Sequence, residues 1–258
     1  MHEERPDREI FDKKVGKFDF RKVPLDDPRV WSLFARGDTV GVFQLEKQLG
    51  RDWSKRAKPS NIEELAALIS ILRPGVLETG QADLYVKIKN GQEEPRYLHP
   101  SLEPILKETY GVFVYQEQVM KTANVMAGFS LGEADLLRRA MGKKKAEEMA
   151  KQREKFVEGA KQLGHSPELA QKVFDLMSEF AKYGFNKSHA AAYAMVTVQT
   201  AYLKAYYPEA FFAALLTSES EDIEKIGSII RNAGASGHKV LPPHINKSQV
   251  DFSLEPEG

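Results

Sequence analysis

Apolar residues recur along this chain mostly at helical spacing, and glycines and prolines cut the pattern into short lengths. Ile62, Leu65, Leu68, Ile69 and Leu72 predict a helix that Asn61 opens and Pro74-Gly75 closes. Leu169, Val173, Leu176, Met177 and Phe180 predict another, begun by Ser166-Pro167-Glu168 and ended by Gly184. Shorter helices are expected over 29–36, stopped by Gly37, and over 102–108 and 116–127. Ser130-Leu131-Gly132-Glu133 has the form of a capping box and predicts a helix to Met141, broken at Gly142. A charged helix follows over 146–163, stopped by Gly164. From about Ser188 to Tyr206 apolar or small residues occupy most of the circumference, which predicts a buried central helix. Pro208 starts a further helix to Leu216, and the acidic residues 218–224 open the last. Residues 39–45 have strand character, and 76–100 read as a polar connector with a turn at Asn90-Gly91. The class is mainly α, with short strands near the N-terminal and C-terminal edges.

Composition narrows the class of partner. The 258 residues allow one or two domains with a sizeable core. Basic and acidic residues balance at 37 each, so attraction to nucleic acid must be local. Cysteine is absent, which removes disulfides and thiolate metal sites. No signal-peptide core and no apolar run of roughly 20 residues is present. The chain therefore reads as soluble and cytoplasmic, without a membrane partner.

Two stretches carry candidate chemistry. The first is Tyr183-Gly184-Phe185-Asn186-Lys187-Ser188-His189, at the start of a helix. Unpaired N–H groups and a partial positive charge make a helix start an anion site. Lys187 adds a full charge there, and Tyr183 and Phe185 offer faces for a base. The same residues also suit a helix boundary, with Gly184 a C-cap, Asn186 or Ser188 an N-cap, and His189 a core histidine. The second stretch is Arg138-Arg139-Ala140-Met141-Gly142-Lys143-Lys144-Lys145. Adjacent arginines on a helix diverge by about 100°, so one can clamp a triphosphate while the other braces the wall. The lysines could track a phosphate backbone. From Lys151 onward, alternation with acids reads as a solvated helix face; for 138–145 that reading and the phosphate reading both stand.

No converging carboxylates of the kind that hold a metal pair are visible. Asp26-Asp27 sits in a proline-bounded turn, and Glu117 and Glu133 are accounted for by helix surface or capping.

Several longer motifs, in order, make the sequence resemble the C-family bacterial replicative DNA polymerases, the DNA polymerase III α subunits. They are Pro24-Leu25-Asp26-Asp27, Gly41-Val42-Phe43-Gln44-Leu45-Glu46, Arg73-Pro74-Gly75, Thr109-Tyr110-Gly111 through Tyr115-Gln116-Glu117-Gln118-Val119-Met120, the run from Ala134 to Lys144, the run from Tyr183 to Tyr193, and Leu241-Pro242-Pro243. The resemblance covers roughly residues 23–250. It implies a helical fingers domain over 23–217, preceded by a charged tail or palm edge over 1–22. A helix-hairpin-helix-like region would begin over 218–258. It implies that Arg138, Arg139, Lys143, Tyr183, Phe185, Asn186, Lys187, Ser188 and His189 face the incoming deoxynucleoside triphosphate. Lys144, Lys145 and Arg73 would face DNA. Magnesium in the parent reaction belongs to palm aspartates upstream of these motifs. Lys17-Phe18-Asp19-Phe20 resembles a palm motif, but Asp19 precedes Asp26 by seven residues where the family has a much longer connection. Asp19 is therefore expected to be noncatalytic. The chain alone, whether a cut piece or a shortened or split gene product, is expected not to polymerise. Expected partners are template-primer DNA, the nucleotide, and other polymerase domains or replisome subunits. The alternative is a noncatalytic DNA-binding, nucleotide-binding or replisome-interacting protein derived from this module.

Overall fold

A computed structural model describes residues 18–143, 146–181 and 183–255. The regular structure among these is helical: α1 Pro28–Arg36, α2 Gln48–Ala57, α3 Ile62–Ile71, α4 Pro74–Glu78, α5 Gln81–Lys89, α6 Glu103–Leu106, α7 Gln116–Ala127, α8 Leu131–Lys143, α9 Ala146–Gln162, α10 Pro167–Ala181, α11 Lys187–Tyr206, α12 Pro208–Ser218 and α13 Ile223–Ala235. Two compact units divide the chain. Among the described residues, one holds 18–61 and 195–255, the other those within 62–194.

In the unit 62–194, helices α7 to α10 bury one stripe each. Val119, Ala123 and Met126 of α7 meet Leu137 and Met141 of α8, Phe156 and Ala160 of α9, and Val173, Phe174 and Met177 of α10. These fall at three- and four-residue spacing, as a core-facing helix requires. Gly159 leaves no room for a Cβ against the Ala127 carbonyl, so α9 rests directly on the end of α7. Helix α3 is buried along residues 64–71, including a charge. Glu64 is compensated there: the Tyr110 hydroxyl donates to its Oε1 at 2.6 Å, and Lys89 Nζ lies 3.2 Å from its Oε2. A buried carboxylate is tolerable only with such partners.

In the other unit, Asp27 caps α1 by accepting from the N–H groups of Arg29 and Val30, with Pro28 at the first helical position. Gly37 ends α1 at φ 65°, in the left-handed region. Lys204 is buried on the C-terminal part of α11. Its ammonium donates to Asp38 Oδ1, the Val40 carbonyl and Asn232 Oδ1 at 2.8–3.1 Å, which fills all three donors. Asp19 accepts from Arg21 and caps a short turn, Phe20–Lys22; that contact holds its carboxyl below the usual range.

Several expected elements differ. Residues 39–45 form turns, not a strand. Gly41 and Gln44 have positive φ, and bonds three residues apart tuck Val42 and Leu45 singly into the core. The expected terminal strands are likewise missing from the described residues, whose one ladder contact is an isolated bridge between Tyr115 and Phe185. The supposed polar connector contains α5, which buries Ala82, Tyr85, Val86 and Ile88. Pro74-Gly75 opens α4 where a stop was expected. Gly142 lies within α8, which continues to Lys143, and α10 ends at Ala181 before Gly184. Helix α11 buries one face, with Ala190, Ala194, Val198 and Ala201. Ser188, His189, Ala191, Ala192 and Val196 are exposed, so it is not buried all round.

Two stability predictions follow from buried and exposed polar groups. The Tyr85 ring meets Tyr110 edge-on at 5.3 Å, but its buried hydroxyl has no hydrogen-bond partner among the described residues. Tyr85→Phe is therefore expected to keep or raise the melting temperature, whereas Tyr85→Ala costs about 3–5 kcal/mol. Equal thermal losses in both variants would contradict this. Glu133 is drawn down to about 2, chiefly by Lys155 Nζ at 2.6 Å and then by the Ser130 N–H and hydroxyl of the capping box. A folded pKa below the unfolded value of 4.5 gives stability that is present above 4.5 and lost as pH falls toward 2. The stability gap between the native chain and Glu133→Gln, followed by urea unfolding, is expected to close in that window. A gap that ignores pH would show that Glu133 contributes no ion pairing.

Candidate functional site

The site is built around a buried amide. Gln118, in the first turn of α7, accepts from the N–H groups of Val114 and Tyr115, both at 2.9 Å. Its NH2 donates to the Ile105 carbonyl at 3.2 Å and to Thr109 Oγ1 at 2.8 Å. Residues 112–115 thus lie within the core, with the N–H groups of Val114 and Tyr115 answered by Gln118 and the Val112 backbone by Thr109. Phe185 pairs with the end of this segment. Its N–H donates to the Val114 carbonyl at 3.2 Å, and its carbonyl accepts from the Gln116 N–H at 2.9 Å. The bridge sets the start of α7 beside the start of α11.

Gln116 then joins the two stretches that carry candidate chemistry. Its NH2 donates to the Gly184 carbonyl at 2.9 Å, and its Oε1 accepts from Arg138 NH1 at 3.2 Å. Arg138 also binds Asp135 Oδ1 through Nε and NH2, at 3.0 and 2.7 Å, and is one-quarter exposed. Arg139 takes the other Asp135 oxygen at 2.8 Å and is mostly exposed. The Arg138 guanidinium, ahead of Arg139, holds the Asp135 carboxyl below the usual range. One carboxylate thus orients both arginines, although they leave the helix in different directions.

The start of α11 is internally compensated. Both Glu117 oxygens accept from the Lys187 N–H, at 3.1 and 3.0 Å. Asn186 Oδ1 accepts from the His189 N–H at 2.9 Å, as an N-cap does. Lys187 Nζ binds Glu108 Oε2 at 2.5 Å and lies 5.6 Å from the centre of the Tyr115 ring. Burial, followed by the Glu108 charge, pushes the Tyr115 phenol up. The anion seat expected at this helix start is therefore held by the chain's own carboxylate. Glu117 does act as a cap, but on α11 and not on its own helix.

The remaining residues form a ladder. Arg73 donates through Nε to the Ser70 carbonyl at 3.0 Å and through NH2 to the Tyr183 carbonyl, and its guanidinium lies 4.7 Å over the Phe185 ring. Burial pulls its pKa down. Its expected DNA-facing charge is thus turned toward the loop that it braces. The Tyr183 ring fills the place a Cβ at Gly75 would take. Phe185, His189 and Tyr193 follow at four-residue intervals, with ring centres 5.4 and 4.0 Å apart. Ser188 is exposed on the first turn of α11 and His189 beside it, so His189 is no core histidine. Lys143 closes α8, while Lys144 and Lys145 lie outside the described residues.

Gln116, Gln118 and Glu108 escaped the chemical reading of the sequence, because a glutamine or glutamate at a helix end looks like ordinary surface. The signal that could have found the two glutamines is three long polar side chains in a row, 116–118, after the apolar run 112–115. Among the described residues no three His, Asp or Glu side chains cluster to hold a metal, and no helix is long and apolar enough to cross a membrane.

Residues 7–164 match the family model described as the bacterial DNA polymerase III alpha subunit finger domain. The chain is 53% identical over 236 residues to the DNA polymerase III subunit alpha of Helicobacter pylori (strain ATCC 700392 / 26695), covering 92% of this chain and 20% of that protein. Identity to the DNA polymerase III subunit alpha of Escherichia coli (strain K12) is 47% over 260 residues, covering 97% and 22%. For the subunit of Thermus aquaticus it is 49% over 252 residues, covering 96% and 20%. The chain spans about a fifth of the length of these relatives. With a helical fold, a family-model match over residues 7–164 and relatives about half identical over most of its length, it belongs to the finger-domain family of the bacterial DNA polymerase III alpha subunit.

Proposed function

We propose that this chain works as a fingers module that grips the triphosphate of an incoming deoxynucleotide and lies against template-primer DNA during template-directed nucleotidyl transfer. The observation that carries the reading is Gln116, which links Arg138 to the Tyr183–His189 loop. It supports one ligand-facing surface built from two stretches that lie far apart in the sequence. Arg138 and Arg139 supply forked donors for phosphate oxygens, and Asp135 keeps them oriented. The Phe185–His189–Tyr193 ladder offers apolar faces beside those cations. Lys187 can reach a phosphate by exchanging Glu108 for it, so that a ligand replaces an internal partner. Lys143 belongs to the nucleotide-facing set of this reading, and Lys144 and Lys145 to its DNA-facing set.

Magnesium in the parent reaction would be held elsewhere in the polymerase. The described residues do not fit a metal pair, since no three ligating side chains converge. No step through magnesium is assigned to them, and the 258-residue chain by itself is expected not to extend a primer. The division into a palm edge over 1–22, fingers over 23–217 and a helix-hairpin-helix-like start over 218–258 belongs to this reading. So do the remaining polymerase domains or replisome subunits as partners, and a cytoplasmic location.

Two substitutions should move nucleotide affinity in opposite directions. Arg138→Ala removes charge-assisted bonds worth about 1.5–3 kcal/mol, so affinity for a deoxynucleoside triphosphate should fall at least about tenfold. Glu108→Gln keeps the side-chain length but removes the charge that holds Lys187, so affinity should rise. Titration of the chain with a deoxynucleoside triphosphate, followed by NMR shifts at residues 183–189, reads both. Unchanged affinity in both variants, with melting curves intact, would reduce the cluster to a structural network.

A further inference from the structure

A second group of cations lies in the other unit, among residues that the nucleotide reading does not use. Arg29, Leu33 and Arg36 stand at i, i+4 and i+7 on α1, which puts them on one face. The two arginines are separated by about 10 Å along the axis, from a rise of about 1.5 Å per residue. Leu33 is buried between them, while both arginines are exposed. They flank a recess of about 350 Å³, which is also lined by Asp38, Lys204, Pro208 and His238.

The side chains that line the recess carry three permanent cations, Arg29, Arg36 and Lys204, against one carboxylate, Asp38. Asp38 is bound by the Lys204 ammonium at 2.8 Å. Glu209 lies 3.9 Å from His238 Nδ1. Asp27 is committed to the α1 N–H groups and to the Tyr206 hydroxyl at 2.7 Å. Neither Arg29 nor Arg36 has a carboxylate partner among the described residues. Arg29 lies 4.8 Å over the Tyr206 ring, and Arg36 NH1 donates to Ser32 Oγ at 2.6 Å. Stacking and the hydroxyl bond orient the two forks without neutralising them. The contrast is with the site around Gln116, where Arg138, Arg139 and Lys187 each have an acid.

We propose that the recess between Arg29, Arg36 and His238 is a separate phosphate-binding site. Guanidinium forks match phosphate oxygens in pairs, and two of them on one helix face can hold a single bridging phosphate or successive phosphates of a strand. The phosphate comes either from a nucleic-acid strand or from a free anion.

The test is an NMR titration of the full chain at fixed ionic strength, in two arms. One arm uses inorganic phosphate and the other a short single-stranded DNA oligonucleotide. Saturable shifts are expected at the His238 ring and at the amides of 33–38. In the double variant Arg29→Gln, Arg36→Gln the half-saturating concentration should rise at least about tenfold, while any shifts at 183–189 stay unchanged. Tighter binding of the oligonucleotide, with a salt dependence that weakens by about two charges in the double variant, assigns the site to a strand. Equal or tighter binding of inorganic phosphate assigns it to a free anion. If the double variant melts early, Arg29→Lys with Arg36→Lys keeps the charge and loses the fork, and weakened binding is again expected. Absence of saturable shifts with both probes, or shifts undiminished in the variants, would overturn the proposal. Either result is independent of the nucleotide reading, because residues 183–189 report that site separately.

Discussion

The geometry of the site depends on the side-chain amide of Gln118. An extended segment within a helical core has no sheet to satisfy its backbone, and unpaired polar groups there cost about 1–3 kcal/mol each. Residues 112–115 are such a segment, buried at every position. Gln118 answers two of their N–H groups and is itself held from below by Ile105 and Thr109. With the segment fixed, the Val114 carbonyl and the Gln116 N–H face the Phe185 backbone in register. Gln116 and Glu117 then reach the loop and the start of α11. Without that amide, each later contact would have to order a mobile strand before making its own bond.

Much of the helical architecture was legible because periodic apolar stripes and punctuation agreed. Helix α7 spans the predicted residues, and Ser130 with Glu133 forms the predicted capping box. Val42, Phe43 and Leu45 suggested a strand, but Gly41 and Gln44 turn the backbone so that Val42 and Leu45 are buried separately. Helix α5 was hidden because Asp83 and Lys87 interrupt an apolar set that is nonetheless spaced for a helix at 82, 85 and 86. Helix α11 misled in the opposite direction. Alanine is compatible with either environment, so a ring of alanines says little about which face is covered; the neighbours decide it.

The candidate site was half legible. Cations and aromatics announce themselves by type, and Arg138 and the 183–189 loop do share Gln116 as a partner. Their partners do not announce themselves. Asp135 reads as helix surface until Arg138 and Arg139 are seen on its two oxygens. Arg73 reads as a free charge until its donors are found on the Ser70 and Tyr183 carbonyls. Such pairings link residues up to 110 positions apart, and local sequence carries no record of that separation.

These hidden partners change the electrostatics more than they change the shape. At the start of α11 the helix dipole, the Lys187 amide and its ammonium would together attract an anion, but Glu117 and Glu108 already answer them. A phosphate arriving there gains only the difference between its own contacts and those it displaces. The gain is largest at Lys187, whose ion pair is nearly half exposed and screened by water, so exchange costs little. It is smallest at the Lys187 N–H, where Glu117 makes two bonds from a helix fixed by the core. The same stretch therefore contains a replaceable partner and a permanent one. On the proposed reading, the Glu117 carboxylate keeps the helix start in place while Lys187 exchanges Glu108 for a ligand.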